Sequence, residues 1–425
     1  MRLSVLTVAL VASAAPAAAQ SLAARVASAP EGRVQFSFAA RESVCGNGRT
    51  FISIGSNTYI GSYTRGGEGT AQDRCEPGPI RVVLERADGS VIGVETYVGP
   101  LPSPQAGVTD LGRVRTRDAA EYLLSLASKL DGRPGRDAIL PASIADSADV
   151  APGLLAIARD RDRPRDTRRS ALSWLARVSG EPASSRRAAD AMVGIARDGA
   201  EHAAVRQQGL ATLARLENGA GVPALIALSR QAGDDAWLAK EAMDALARSG
   251  DPRAREHLRS VVQRADAPEP VLAVAIRGLS REYATARDAA LLREIYPKLQ
   301  GERTRQSVLT SIAEMGGTEN ARWLLTVARS MAEKQSVRRQ ALSAASRAGI
   351  TAAELVRLYA DADQELRELL LARYAESGER VAIDRLMAVA RSDEDRTLRR
   401  RAIQHLSRVD DPRAKALLQE LAARQ

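Results

Sequence analysis

Aromatic residues are scarce in this chain: Phe, Trp and Tyr together make up 3% of 425 residues. A cavity for an organic cofactor usually recruits aromatic walls, and a groove for single-stranded nucleic acid needs repeated stacking platforms. Trp174, Trp237 and Trp323 stand at unlike places in the sequence pattern, so neither is expected. Histidine is equally sparse. His202, His257 and His405 lie far apart, without acidic partners at ligand spacing, and read as surface or loop residues. No H-E-x-x-H helix and no G-x-S-x-G elbow occurs, and the glycine-rich stretch GEGTAQ lacks the Gly-Lys-Ser/Thr ending of a phosphate loop. The acidic runs DADQE (361–365) and DEDR (393–396) lack the glycine that a calcium loop needs at its sixth position. They read as acidic helix starts that complement the helix dipole. The sequence thus offers no catalytic residue, no cofactor site and no metal site, and it predicts a protein that is not an enzyme.

Long hydrophobic runs are missing too, except at the start. MRLSVLTVALVASAAPAAAQ places Arg2 before an apolar run and ends in Ala17, Ala18 and Ala19. That layout predicts a signal peptide over residues 1–19, cut between Ala19 and Gln20. The run is short for a membrane span and stops at Pro16. The mature chain is therefore expected to be soluble, without a transmembrane segment, and periplasmic or extracellular. Cys45 and Cys75 are the two cysteines, and in an exported chain they predict one disulfide. No histidine lies near them to support a metal site instead. Neither charge sign dominates: 61 Lys and Arg face 52 Asp and Glu, a net +9, interleaved along the chain. Interleaving suits solvated helix faces and makes nucleic acid an unlikely partner.

Two grammars are present. Residues 20–98 read as a small, mainly β domain stapled by the disulfide. Val34, Phe36 and Phe38 alternate onto one face, as do Ile80, Val82 and Leu84, then Val94, Thr96 and Val98 beyond an Asp88-Gly89 turn. Residues 99–116 open with GPLPSPQAG and read as a linker. From 117 to 425 the pattern is helical and recurrent. A small or apolar residue inside each second helix marks the cadence: Ala138, Ala171, Gly209, Ala242, Ala275, Val308, Ala341, Leu370 and Ala402. From Gly209 to Ala341 each step is 33 residues. Thirteen residues earlier, Ala158, Ala196, Ser229, Val262, Ile295 and Ala328 close a first helix in six of the units. A fixed period of this length signals stacked helix pairs, each with an apolar stripe that only its neighbours can bury. SGDPRA (249–254) and VDDPRA (409–414) supply capping Asp and first-turn Pro, while Gly180, Gly250, Gly316 and Gly349 fall where second helices stop.

These residues resemble the HEAT repeat family, in the short bacterial form shared with phycobilisome-lyase-like repeats. The likeness rests on the DPRA turns, the [VLT]-R-x-x-[AV]-[LIM] opening of the second helix and its xxLAR close, over about nine units in residues 117–425. It implies an all-α solenoid of helix pairs behind the β domain, with a surface that binds other macromolecules. The family's second helix often carries a basic residue that hydrogen-bonds along the stack. Here Arg168, Arg206, Arg305, Arg338, Arg367 and Arg399 stand three residues before the marker, interrupted by Ala239 and Leu272. They form either a ridge for an acidic partner or a structural ladder. The ladder is the expectation, because the positions repeat with the fold. The function expected is an exported, non-enzymatic scaffold that holds a protein partner on the solenoid surface. The alternatives are a polyanion-binding envelope protein and a lyase-like enzyme accessory.

Overall fold

A computed structural model describes residues 20–423 apart from 56–57, 62–74, 101–105, 179–181, 232–234 and 265–266; the side chains of 58–61 are also left aside. The proposed signal peptide, GEGTAQ and Gly180 lie outside the described residues. The chain divides into two compact units, with the boundary between Thr212 and Leu213.

In the first unit, helix α1 (Leu22–Ser28) precedes strands β1 (Gly32–Phe38), β2 (Val44–Gly46), β3 (Phe51–Ile54), β4 (Thr58–Gly61), β5 (Glu76–Pro77), β6 (Ile80–Ala87), β7 (Ser90–Val98) and β8 (Val108–Arg113). One sheet has the order β7-β6-β1-β8 and the other β4-β3-β2-β5. The register joins Phe38 to Ile80 and Ile80 to Val98, then Phe36 to Val82 and Val34 to Leu84, so the alternating apolar set shares one face. All of these residues are buried. The turn between β6 and β7 has Asp88 at φ 51° and Gly89 at φ 73°, as an Asp-Gly hairpin requires. Gly46 and Gly99 let two backbones meet: a Cβ on Gly46 would lie 2.4 Å from the Val98 carbonyl oxygen. The Cys45–Cys75 disulfide is formed, with the Cα atoms 5.2 Å apart.

The structure departs from the sequence expectation at two segments and at one boundary. Residues 22–28, read as part of a strand-forming region, are helical. Arg86, 5% exposed, donates to the Pro30 and Ala27 carbonyls at 3.3 Å and also to Ala29, which fixes the end of that helix. Residues 108–113, read as linker, are strand β8, paired in parallel with β1. The β part is also not separate from the helices after it. Phe36 meets Tyr122 of α2 (Thr116–Lys129) edge-on at 6.4 Å, and Ala40 bridges Ala145 beyond α3 (Gly132–Asp137) and α4 (Ile139–Ser143). Sheet and first helices therefore share one core. The unit continues with α5 (Ala151–Arg159), α6 (Arg165–Val178), α7 (Pro182–Arg197) and α8 (Ala203–Leu213).

The second unit is helical throughout its described residues. Its pairs are α9 (Val222–Arg230) with α10 (Ala236–Arg248), α11 (Pro252–Arg264) with α12 (Glu269–Leu279), and α13 (Ala286–Ile295) with α14 (Glu302–Met315). Then come α15 (Thr318–Arg329) with α16 (Gln335–Ala348), α17 (Ala352–Leu358) with α18 (Gln364–Ser377), α19 (Arg380–Ser392) with α20 (Arg396–Leu406), and α21 (Pro412–Ala423). Successive second helices α10, α12, α14, α16, α18 and α20 pack on one another. Ala242, Ala275, Val308, Ala341, Leu370 and Ala402 are fully buried there. Small residues at these contacts let helix axes approach closely. Asp251 and Asp411 accept from the N–H groups of Arg253 (2.8 Å) and Arg413 (2.7 Å), with Pro252 and Pro412 opening α11 and α21. Asp363 and Asp395, from the two acidic runs, cap α18 and α20.

Candidate functional site

The arginines three residues before each marker turn inward along their own unit. Each sits in the first turn of a second helix, close to the end of the preceding first helix, where carbonyls lack intrahelical partners. Arg168 Nε donates to Ala158 O at 3.0 Å, Arg206 Nε to Ala196 O at 2.8 Å and Arg338 Nε to Ala328 O at 2.9 Å. Arg305 reaches Leu299 O at 2.8 Å and Arg367 reaches Tyr359 O at 3.2 Å. Arg399 donates to the Asp393 carbonyl and, at 3.2 Å, to that of Glu394. Among the described residues, Arg168 also meets Glu201 of the next unit, Arg305 meets Glu333 at 2.9 Å, and Arg338 meets Asp363 and Glu365. Arg338 is 1% exposed. A guanidinium so enclosed is engaged by its own fold and has few donors left for a ligand.

The acids were not foreseen, although the sequence writes them. Glu201 and Glu333 each stand five residues before the next ladder arginine, in EHAAVR and EKQSVR. After the interruption at Leu272, a different set of contacts ties the end of α12 to α11 and α13. Arg255 of α11 donates to Leu279 O at 2.8 Å and to Asp288 at 2.8 Å, and Arg259 donates to Asp288 at 2.7 Å. Asp288 is fully buried. Burial opposes its ionisation, but Arg259, the Thr285 hydroxyl and Arg255 outweigh it and hold the carboxyl below its ordinary range. Thr285 and Asp288 form a capping box at the start of α13, a signal legible in TARD.

His257 is not on the surface, contrary to expectation. It is 4% exposed on α11, because its position falls on the helix's apolar stripe beside Ala254, Leu258 and Val261. Nε2 lies 2.9 Å from Ser229 Oγ, and Nδ1 lies 3.4 Å from Arg230 Nη2. Ser229 donates its own proton to Ile226 O, so the neutral ring with a proton on Nε2 satisfies every partner. Burial, then the Arg230 and Arg264 charges, push its pKa down to about 4. His202 is exposed. No group of His, Cys, Asp and Glu able to hold a metal occurs among the described residues.

Concave regions occur on the sheet and among the helices. On the sheet, a cleft of about 490 Å³ is bounded by Gln35, Ser37, Arg81, Asp110 and Arg113. Three of its side chains are already engaged. Gln35 donates to Asp110 at 2.9 Å, and Arg81 stacks 4.2 Å above the Tyr97 ring while donating to Gly48 O. The second region is a groove of about 410 Å³ between α16 and α18. Arg339, Ser343 and Arg347 line it from α16, with Gln340; Arg373 and Glu376 line it from α18. Arg373 is paired with Glu376 at 2.9 Å and donates to Ser343 at 2.7 Å. Arg339 and Arg347 are exposed and have no carboxylate partner among the described residues.

No family model matches the chain, and no curated protein matches it. Among solved structures, a human deoxyhypusine hydroxylase in complex with glycerol shares 18% identity over 56% of this chain and 90% of its own, with a TM-score of 0.27. Kap121p shares 14% over 69% of this chain, with a TM-score of 0.38; the match spans 35% of Kap121p. The CpcE–CpcF complex of phycocyanin lyase from Nostoc sp. PCC7120 shares 17% over 64% of this chain and 94% of that one, at 0.23. These neighbours include HEAT-like helical proteins. No described helix is long and apolar enough to cross a membrane.

Proposed function

We propose that the protein is an exported, non-enzymatic scaffold whose helix pairs form a HEAT-like solenoid that holds a protein partner. The observation that carries this reading is the contrast between two sets of arginines. Arg168, Arg305 and Arg338 of the ladder are held by carbonyls and acids, whereas Arg339 and Arg347 line an exposed groove without neutralising partners among the described residues. A formed disulfide fits an oxidising compartment, and residues 1–19 fit a signal peptide. The groove points to a partner with acidic side chains.

The test is capture from the organism's cell-envelope extract, with the full chain and its R339E/R347E variant as baits at low and high salt. A protein client retained by the wild type through high salt and lost by the variant, at unchanged Tm, supports the scaffold. Equal capture by both baits rejects the groove as its surface. The same arginines also favour a second reading, polyanion binding, which predicts retention of nucleic acid or acidic polysaccharide that falls steeply with salt.

A further inference from the structure

The aromatic pocket at the end of one first helix is rebuilt, differently, two units later. After α13, Tyr296 carries the Arg305 guanidinium 5.3 Å from its ring centroid and meets Trp323 of α15 edge-on at 5.2 Å. Glu333 neutralises Arg305 there. After α17, Tyr359 holds the same place, with Arg367 5.3 Å from its centroid. The position of Trp323, five residues before the buried Ala328, corresponds on α19 to Arg385, five residues before the buried Ala390. Arg385 lies 4.7 Å from the Tyr359 centroid. Where one unit has an edge-on Tyr–Trp corner with one guanidinium, the other has a pocket of about 340 Å³ with two.

Among the described residues, neither cation has a carboxylate of its own. Arg367 spends its Nε and one Nη on the Tyr359 and Ala360 carbonyls. Arg385 Nε is buried and has no hydrogen-bond partner, which is costly for a donor shielded from water. Asp393 also lines the pocket, but its carboxylate accepts from the Tyr359 hydroxyl at 2.9 Å and from Asp395 N–H at 3.0 Å. With Asp393 and Glu394 on the rim, a dianion would be repelled more than a singly charged group.

We infer that the pocket between α17 and α19 binds a carboxylate, an Asp or Glu side chain of the protein partner, through Arg385 and Arg367. Guanidinium groups match carboxylates in charge and in the spacing of their donors. Stacking on Tyr359 holds the forks in place before the ligand arrives. This site rests on the scaffold reading for the source of its ligand, but its chemistry can be tested without a client.

The experiment follows the Arg Nε–H resonances of the full chain during titration with a hexaglutamate peptide, with hexaserine and inorganic phosphate as comparison probes. The expected result is a saturable shift at Arg385 and Arg367 with hexaglutamate only. R385W restores the Tyr–Trp corner seen at Tyr296, so it should keep the wild-type Tm and bind about 10- to 100-fold more weakly. R385Q removes the cation without adding bulk and is read if R385W unfolds. A silent Arg385 in the wild type, undiminished binding in both variants, or a response to phosphate alone each overturns the assignment. Envelope capture without any titration at Arg385 removes this site and leaves the scaffold standing. Titration without any client removes the scaffold and leaves the site.

Discussion

Acidification should loosen the second unit through His257. An unfolded histidine titrates near 6.5, whereas the folded His257 sits at about 4, because burial and the neighbouring Arg230 and Arg264 charges oppose the imidazolium. Between those values the unfolded chain binds a proton that the folded chain refuses, so stability falls as pH drops from about 6.5 to about 4. The gap of about 2.5 units is worth about 3 kcal/mol in full, at about 1.4 kcal/mol per unit. Of this, about 2 kcal/mol is lost by pH 5. With only three histidines in the chain, the ring C–H signals can be assigned by single substitutions and followed by NMR. The His257 signal should stay fixed from pH 8 to about 5 and move only as the unit begins to open. In parallel, urea unfolding of the wild type should lose about 2 kcal/mol more than that of H257Q between pH 7 and pH 5. A His257 midpoint at or above pH 6, or parallel pH profiles of the two proteins, would refute the argument.

Two further outcomes are expected from the packing. Arg338→Met keeps the stem of the side chain but strands the Ala328 carbonyl and the Asp363 and Glu365 carboxylates. It should cost about 3 kcal/mol, read as a fall in Tm, whereas Arg339→Met on the exposed face should leave Tm nearly unchanged; equal effects would contradict the ladder. The Cys45→Ser/Cys75→Ser double variant opens a loop spanning 30 residues. It should lose about 3.5 kcal/mol in the chain-entropy model, measured by denaturant unfolding of the oxidised and substituted proteins, and indistinguishable curves would show that the bridge does not restrain the unfolded chain.

The helix pairs were legible because burial of the markers is periodic: Ala242, Ala275 and Ala341 are small for the same reason that they are buried. The hairpin around Asp88 and Gly89 was legible because a two-residue turn is a local decision. Strand β8 was not. Val108–Arg113 is short and contains Gly112, and it becomes a strand only beside β1, a parallel partner some 75 residues away in sequence. Helix α1 escaped notice because its end is fixed by Arg86, likewise distant in sequence. At the ladder, the arginines were seen and their acids were not, since each carboxylate partner belongs to a different unit. Arg255, Arg259 and Asp288 were missed for a related reason: the pattern had marked an interruption, and the replacement came from first helices.

The E-x4-R spacing has a consequence for how such a chain can lengthen. The segment containing α15 and α16 brings its own acid, Glu333, which takes the arginine upstream, and its own arginine, Arg338, which reaches downstream. A tandem copy of that segment would present Glu333 to the first copy's Arg338 and carry a second Arg338 onward to Glu365. Duplication in whole segments thus leaves no charge orphaned, whereas an insertion that splits Glu333 from Arg338 breaks two joints. The ladder acts as a reading frame for gene duplication, admitting growth by complete turns of the pattern and penalising fractions of one.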